Sequence, residues 1–355
     1  MMHAGCRKQT GPASRGLALL LMVLASALLT GCDTAPAEHR FQGPIFGTGY
    51  HVTVYAELAE DDYARLESGI LAELERIDSL MSTYRDDSEL SRFNRLPVGV
   101  PFFVSPATAE VLRESMRIAR LTEGAFDVTV GPVVNLWGFG PEGRPEQVPD
   151  EATLREALAR VDAEALHLED GRLSKTKPVY VDLSGIAKGY ATDRVADYLE
   201  SRGIEDYLVE VGGEIRTHGT KPGGAAWRIA VEKPVSSERS VQRIIDLGDA
   251  AVATSGDYRN YFESDGVRYS HTIDPRSGRP IDNRVASVTV ITERCATADA
   301  LATAFTVMGA EAGLDLAEAQ NIAVYFVVRQ DDGFETRISS SFEVYLDEFA
   351  EEETI

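Results

Sequence analysis

Most strand-like segments in the second half of this chain are separated by turns rather than by helices, and this pattern limits the fold more than any other feature. The segments are rich in β-branched residues, as is typical of strands, and they cover 178–183, 207–211, 227–231, 241–247, 286–292 and 322–328. Strands joined by turns pair antiparallel, because parallel pairing needs a long crossover connection. The sequence therefore predicts an α+β fold with a mainly antiparallel sheet core and flanking helices.

Helical periodicity predicts the elements that flank this sheet. Leu66, Ile70 and Leu74 recur at the spacing of one helix face. Ser105-Pro106 combines a capping residue with a proline in the first turn, and Asp150 caps a later segment. The predicted helices cover 61–82, 105–122, 150–161, 185–202 and 296–308, with a strand at 50–55 and a loop at 138–150.

The first 31 residues have the pattern of a targeting sequence rather than of a folded element. The apolar, uncharged stretch Gly16–Leu29 follows three cations, Arg7, Lys8 and Arg15. This stretch is too short for a comfortable membrane span. The small residues before Cys32 resemble a bacterial lipobox, in which Cys32 becomes the lipidated N-terminus. An ordinary signal peptide cut nearby is the alternative.

These features divide the chain into a signal peptide (1–31), a tether (32–44), a folded domain (45–346) and an acidic tail (347–355). Asp33, directly after the cysteine, resembles the signal that retains lipoproteins at the inner membrane. We therefore expect a lipid-anchored protein of the inner membrane that faces the periplasm.

The chain is strongly acidic, with a formal net charge of −22 that becomes −25 without the three cations of the signal peptide. Such a surface argues against binding of nucleic acid and against direct binding to anionic lipid. A bound anionic ligand then needs a local cation, which points towards a metal ion. Cys295 is the one cysteine outside the signal and the anchor, so we expect no intramolecular disulfide and a partly buried, non-catalytic thiol.

The run Asp182–Tyr190 follows an apolar segment and precedes a helical pattern. A strand, a tight turn and a helix start place backbone N–H groups and one exposed cation, Lys188, in a small space. That arrangement suits an anionic, phosphorylated ligand. An ordinary strand–helix connection capped by Ser184 is the alternative.

Two further polar features have spacings that allow chemistry. Asp299 and Thr303 share one face of a small, apolar predicted helix, so their oxygens can bind a hard cation such as Mg²⁺. Capping by Asp299 and a backbone hydrogen bond from Thr303 are the alternative. His271 lies at the edge of a turn set by Asp274-Pro275, where it can act as a general base or as a structural histidine bonded within the turn.

Clustered aromatic residues and glycines in 135–140 can line a flat ring system or fill a core. We expect Tyr84 to face outward at the end of the first helix, with a plug at the helix end as the alternative, and we expect 124–132 and 254–261 to form compact or polar turns. The sequence has neither a Walker phosphate loop nor the glycine fingerprint of a Rossmann dehydrogenase, so neither class is supported.

Taken in order, these segments resemble the ApbE family of FAD:protein FMN transferases. The resemblance runs from Gly47-Thr48 to Ser341 and covers essentially the whole mature domain. It rests on 81–84, 124–132, 135–140, 182–190, 211–214, 254–261, 271–278 and 298–303. It implies an ApbE-like domain related to the T-fold, in a family whose members are commonly lipoproteins.

The resemblance also implies a reaction and a set of site residues. Family members bind FAD and, with Mg²⁺, transfer FMN through a phosphoester bond to a Thr or Ser hydroxyl of a partner protein, releasing AMP. Partners are typically flavin-carrying subunits of membrane redox complexes, such as sodium-translocating quinone reductase. By matching position, the resemblance implies that FAD contacts Phe46, Tyr84, Ala125, Phe126, Asp127, Asp182, Lys188 and Ile273. It implies that Mg²⁺ binds the Gly185 main-chain oxygen together with Asp299 and Thr303. It also implies that His271 is the base.

The resemblance leaves two alternatives open, because some family members mainly hydrolyse FAD to FMN and AMP. One is an FAD pyrophosphatase, in which water is the nucleophile; Tyr84, which matches the aromatic residue that covers the isoalloxazine, favours transfer instead. The other is a non-catalytic lipoprotein that stores or delivers FAD, and the combination of Asp299, Thr303 and His271 argues against it, since storage needs no base. Phe46 departs from the family pattern, where Met is usual.

Overall fold

A computed structural model describes residues 36–141, 148–232, 241–256, 261–264 and 267–346. The predicted signal peptide, Cys32 and the acidic tail lie outside the described residues, as do parts of the 138–150 loop and of the 254–261 turn. In the described part of the chain, no helix combines the length and the hydropathy that a membrane crossing requires.

The core of the fold is an eight-stranded sheet in which neighbouring strands are antiparallel, as predicted. In spatial order its strands are β1 (Glu38–Ile45), β2 (Thr48–Tyr55), β6 (Tyr207–Val211), β7 (Glu214–His218), β10 (Ala251–Gly256), β15 (Val285–Thr292), β16 (Ala323–Gln330) and β17 (Gly333–Ile338). The strands predicted at 207–211, 286–292 and 322–328 are therefore confirmed.

Smaller sheets surround this core. The strands β3 (Phe102–Phe103), β5 (Arg172–Lys175) and β4 (Leu166–Glu169) form a three-stranded sheet in that spatial order. The other pairs are β8 (Arg228–Glu232) with β9 (Val241–Asp246), β11 (Tyr261–Ser264) with β12 (Val267–Ser270), and β13 (Ile273–Asp274) with β14 (Arg279–Pro280).

Eight α-helices are present among the described residues, and the long ones match the predicted periodicity. They are α1 (Glu60–Met81), α2 (Glu89–Asn94), α3 (Pro106–Leu121), α4 (Gly131–Leu136), α5 (Glu151–Leu158), α6 (Ala187–Ser201), α7 (Cys295–Met308) and α8 (Ala310–Gln320). Ser105 and Asp150 cap α3 and α5 with their side chains, as predicted. Short 3₁₀ turns cover Ala163–Ala165 and Ser340–Tyr345.

The large sheet is covered on both faces. The helices α1, α6 and α7 contribute to the main core on one face, and the β8–β9 hairpin and the 340–345 turn pack on the other. Seven of the eight residues of β15 are consequently buried, which explains its nearly continuous run of apolar and small residues. This packing holds α6 and α7, the two helices with candidate site residues, against the sheet.

Two sequence predictions need correction. Residues 178–183 do not form a strand: Tyr180 makes one isolated bridge to Val130, and the Asn94 side chain binds both backbone groups of Val181 at 2.8 Å. A side chain therefore replaces the ladder that a strand requires. Residues 38–44, interpreted as part of the tether, belong to β1, because they pair with β2 along its whole length.

Candidate active site

A cavity of about 640 Å³ opens between the tip of the β1–β2 hairpin, the end of α1 and the start of α6. Its walls include Phe46, Tyr84 and Lys188, three of the residues predicted to contact FAD. The volume lies within the usual range for small-molecule sites. The fold thus brings to one place three side chains that are far apart in the sequence.

Phe46 lies at the tip of the hairpin in an unusual backbone conformation. Phe46 and Gly47 are the two central residues of the turn that joins Ile45 to Thr48, and their φ angles are +52° and +71°. Positive φ at both positions is the type I′ geometry of tight hairpins, which favours Asn, Asp or Gly at the first position. A bulky aromatic residue there is an outlier that marks local strain.

Tyr84 lies just beyond α1, and 69% of it is exposed, in line with the predicted outward orientation. Its hydroxyl donates to the Phe139 carbonyl at 3.4 Å, and the Phe139 ring meets the His271 ring edge-on with centroids 6.4 Å apart. Partial burial and the nearby Asp182 carboxylate raise the pKa of Tyr84. Tyr84 is therefore linked through Phe139 to the predicted base.

The loop before α6 matches neither the interpretation with an exposed Lys188 nor the one with a capping Ser184. The Asp182 carboxylate accepts hydrogen bonds from the Ser184 N–H and hydroxyl, and α6 begins at Ala187 without a side-chain cap. The alternative in which Ser184 caps the helix is therefore wrong. Lys188 is not the freely exposed cation that the sequence predicts, because only a third of its side chain is accessible and its ammonium pairs with Glu214.

Lys188 belongs to a buried charge cluster with Glu214 and Asp299. The Glu214 side chain is 3% exposed, and its Oε2 atom has no hydrogen-bond partner among the described residues. Burial raises the pKa of Glu214 to about 8, although Lys188 acts in the opposite direction. Burial lowers the pKa of Lys188, but the charges of Glu214 and Asp299 outweigh it, so the net shift is upward. The ammonium is thus held in its charged form.

The three predicted Mg²⁺ ligands lie close together where α6 meets α7. Asp299 is 4% exposed and its Oδ2 atom accepts the Gly189 N–H at 3.0 Å. The Thr303 hydroxyl oxygen lies 3.3 Å from the Ser255 hydroxyl oxygen and 3.4 Å from where a Cβ atom on Gly185 would stand. Asp299 is in the second turn of α7 and is not its cap, so that alternative is wrong.

This donor set fits a hard cation. Burial raises the pKa of Asp299, which means that its charge is poorly compensated by the protein alone. A divalent ion beside it would favour the carboxylate, and neutral hydroxyl and carbonyl oxygens are suitable further ligands. The described residues hold no group of three or more His, Cys, Asp or Glu side chains able to bind a metal, so a metal here would depend on these neutral oxygens and on the substrate.

Asp193 positions this site, and the sequence analysis missed it. Its two carboxylate oxygens each accept, at 3.0 Å, one of the first backbone N–H groups of α7, from Cys295 and Ala296. The carboxylate is fully buried and also lies within 3.2 Å of Arg216 and 3.4 Å of Arg294. The available signal was an acidic residue inside the apolar pattern of α6. Cys295 itself is fully buried, more than expected, and burial raises the pKa of its thiol.

The remaining predicted FAD contacts lie deeper in the fold. Ala125 and Phe126 are buried, and the Phe126 ring lies 3.1 Å from the position of a Cβ atom on Gly185. The Asp127 carboxylate accepts the Thr129 N–H and hydroxyl and the Ala163 N–H, and it lines a second cavity of about 370 Å³. Ile273 is 6% exposed and packs in a small core with Trp137.

Comparison with known proteins identifies the relationship. The model of the ApbE family matches residues 46–326, which is most of the chain and includes every candidate site residue. The chain belongs to the ApbE family. A curated relative from Vibrio cholerae, named FAD:protein FMN transferase, is 54% identical over 328 residues, covering 92% of this chain and 98% of the relative. One from Haemophilus influenzae with the same name is 44% identical over 335 residues, covering 91% and 96%.

Solved structures of the ApbE family share the fold. The flavin transferase ApbE from Vibrio cholerae superposes with a TM-score of 0.82 at 52% identity, covering 88% of this chain and 100% of that one. The apo form of the flavinyl transferase ApbE from Pseudomonas stutzeri superposes with a TM-score of 0.81 at 40% identity, covering 88% of this chain and 98% of that one. The α+β architecture with a large antiparallel sheet is therefore that of the family.

Proposed function

We propose that this chain is an FAD:protein FMN transferase that moves FMN from FAD to a hydroxyl group of a partner protein. Relatives at 54% and 44% identity carry that name, and they align over more than nine tenths of this chain. The observation that carries the proposal is that Lys188, which feels the charge of Asp299, lines the same cavity as Phe46 and Tyr84. One cavity thus offers aromatic surface for a flavin and charge for a pyrophosphate.

The acceptor Thr or Ser hydroxyl attacks the FMN phosphorus of FAD and forms a phosphoester there, while the bond from that phosphorus to the bridging oxygen breaks and AMP leaves with the bridging oxygen. Gly185, Asp299 and Thr303 would hold Mg²⁺, which neutralises negative charge on the pyrophosphate when bound. Lys188, which pairs with Glu214 and lines the cavity, binds the pyrophosphate oxygens where charge accumulates on the leaving group. His271 takes the proton from the incoming hydroxyl.

The choice between acceptor hydroxyl and water depends on which nucleophile the site positions. Tyr84 stands exposed at the cavity wall and is joined to Phe139 beside His271, so its ring limits access to the base. Tyr84→Asn should therefore raise AMP release in the absence of acceptor. Unchanged acceptor-free AMP release in that variant would count against this role.

The proposal is tested with the purified chain from Asp33 onward, FAD, Mg²⁺ and a flavin-carrying domain of a sodium-translocating quinone reductase. An acceptor heavier by one FMN, with matching AMP, would establish transfer. AMP without a mass change would support the pyrophosphatase alternative for this acceptor. His271→Ala should abolish both products and keep FAD bound; a wild-type chain that binds FAD and releases no AMP would support storage.

We further propose that Cys32 carries a lipid that holds the domain at the periplasmic face of the inner membrane. The support is the sequence before Cys32, since the residue lies outside the described part of the chain. Cys32→Ser should move the protein from the membrane fraction to the soluble fraction. A wild-type protein whose mature N-terminus is unmodified would contradict the proposal.

A further inference from the structure

An exposed apolar segment lies outside the candidate site. Residues 97–103 read Pro-Val-Gly-Val-Pro-Phe-Phe and contain no charged side chain. Val98, Val100 and Phe103 are 46%, 39% and 69% exposed, and they are three of the six large hydrophobic residues exposed in the described part of the chain. Exposed apolar side chains clustered in one short segment suggest an interaction site, whereas singly scattered ones are ordinary. We call residues 97–103 the apolar patch.

Arginine side chains border the apolar patch. Arg92 lies over the Phe102 ring at 5.8 Å, and Arg172 lies over the Phe103 ring at 5.1 Å. Arg95 is exposed as well. These three arginines contrast with the net charge of −22 on the chain. Arginine beside aromatic residues is the composition of protein interfaces, and here its charge complements carboxylates on a partner.

The apolar patch also offers backbone groups. Its last two residues form β3, which pairs with β5 and stands at the outer side of the three-stranded sheet. An edge strand presents N–H and C=O groups to an extended segment of another chain. The exposed Phe103 ring and the Arg172 guanidinium would lie beside such a segment.

The patch is fixed to the loops of the candidate site. Asn94, three residues before it, makes two hydrogen bonds of 2.8 Å with Val181, the residue before Asp182. The Arg95 guanidinium donates to the Asp86 carbonyl at 2.7 Å, two residues beyond Tyr84. A protein bound at the patch would therefore contact the surface adjoining the loops that carry Asp182 and Tyr84.

We propose that the apolar patch docks the acceptor protein, through an acceptor surface that combines apolar side chains with carboxylates. The inference rests on the proposed function and names the surface that brings the acceptor hydroxyl to the cavity. The attachment to the site loops favours this occupant over a membrane or a second copy of the chain, because a protein bound at the patch lies beside the loops that carry Asp182 and Tyr84.

The test measures labelling kinetics of the same acceptor domain with Val98→Asp and Phe103→Asp. Both side chains are exposed, so the fold should persist, and the KM for the acceptor should rise about tenfold. FAD binding and acceptor-free AMP release should stay at wild-type values. Val344→Asp is the matched control, because Val344 is 80% exposed on the 340–345 turn. Arg172→Glu should raise the same KM and weaken its dependence on salt.

Wild-type acceptor KM in Val98→Asp and Phe103→Asp would overturn the proposal. So would variants that leave this KM unchanged but lose binding to phosphatidylglycerol vesicles or change the oligomeric state, which would assign the patch to a membrane or to a second copy. A wild-type chain that binds no FAD and labels no acceptor would contradict the proposed function itself. Failure of the proposed function is therefore distinguishable from failure of the docking proposal, because the wild-type chain alone shows it.

Discussion

At the scale of single residues, Phe46 occupies a backbone conformation that its own side chain disfavours. The chain contains a second turn with the same pattern, in which Asp170 and Gly171 have φ angles of +48° and +73° and join β4 to β5. There the first position holds Asp, as the turn prefers. The aromatic ring at Phe46 is therefore explained by the cavity it lines and not by the turn that carries it.

This strain predicts that the free energy of unfolding of Phe46→Gly exceeds that of Phe46→Ala by about 1 kcal/mol, because only glycine adopts positive φ freely. Denaturant titration of the two variants measures this difference. Asp170→Gly and Asp170→Ala are the matched controls and should show the same order. Both Phe46 variants, but neither Asp170 variant, should weaken FAD binding measured by flavin fluorescence. A Phe46→Ala variant as stable as Phe46→Gly would refute the strain.

Glu214 predicts a pH dependence of stability. Its pKa rises from an ordinary 4.5 to about 8 on folding, mainly through burial. The folded state then binds more protons than the unfolded state between those values, so stability falls as pH rises through this window. Glu214→Gln should remove this decline, which a rise from 4.5 to about 8 sets at about 3–4 kcal/mol between pH 5 and 8.

The measurement is urea unfolding of wild type and Glu214→Gln at several pH values from about 5 to 8, since the window follows from the raised pKa. Glu57→Gln, at an exposed position, is the control and should keep the wild-type slope. Equal slopes in wild type and Glu214→Gln would show that the buried carboxyl does not titrate in this window.

At the scale of elements, the contact between α6 and α7 sets the geometry of the candidate metal ligands. Gly189 lets the helices approach so closely that a Cβ atom there would lie 2.4 Å from the Cys295 carbonyl oxygen and 2.8 Å from the Asp299 Cβ atom. The absent side chain is what allows the Gly189 N–H to reach the Asp299 carboxylate. Backbone atoms of α7 cannot move aside without shifting the whole helix.

We expect Gly189→Ala to destabilise the fold by about 1–3 kcal/mol through this overpacking, in spite of the better helix propensity of alanine. Gly69→Ala is the matched control within α1. Its Cβ atom would meet the hydroxyl end of the Tyr198 side chain at 1.9 Å, and that side chain can swing away. Thermal unfolding of both variants measures the two losses of stability. Equal losses would show that α7 shifts away from the added Cβ atom at no more cost than the Tyr198 side chain, which would contradict the overpacking.

At the scale of the whole molecule, the proposed metal site would link metal binding to stability through Asp299. A ligand that binds only the folded state raises its stability, and a buried carboxylate with a raised pKa gains most from a cation. Asp299→Asn should therefore keep or raise the Tm of the metal-free protein. The same variant should lose the rise in Tm that Mg²⁺ produces in the wild type.

Thermal scans with Mg²⁺ and with a chelator test this linkage. Asp315→Asn, on the exposed side of α8, is the control for general effects of charge and should respond to Mg²⁺ like wild type. An undiminished Mg²⁺ shift in Asp299→Asn would place the cation elsewhere and would remove Asp299 from the proposed ligands.

The sequence by itself determined the features that depend on neighbouring residues. Helical spacing predicted α1, α3 and α7, and capping residues marked the starts of α3 and α5. Strand-like segments joined by turns predicted the antiparallel sheet. Resemblance to the ApbE family selected Phe46, Tyr84 and Lys188, which line one cavity. Their contacts with FAD stay predictions, as do the roles of Asp299, Thr303 and His271.

Only the tertiary structure decided features that depend on distant partners. Asn94 binds Val181 across 87 positions and prevents a strand there, and β1 is a strand because β2 pairs with it. Glu214 holds Lys188, and Asp193 caps α7 from another helix, so the charge and orientation of the candidate site come from contacts between elements. Local sequence reports a residue's own conformational preference, whereas burial and ion pairing depend on which groups the completed fold brings together.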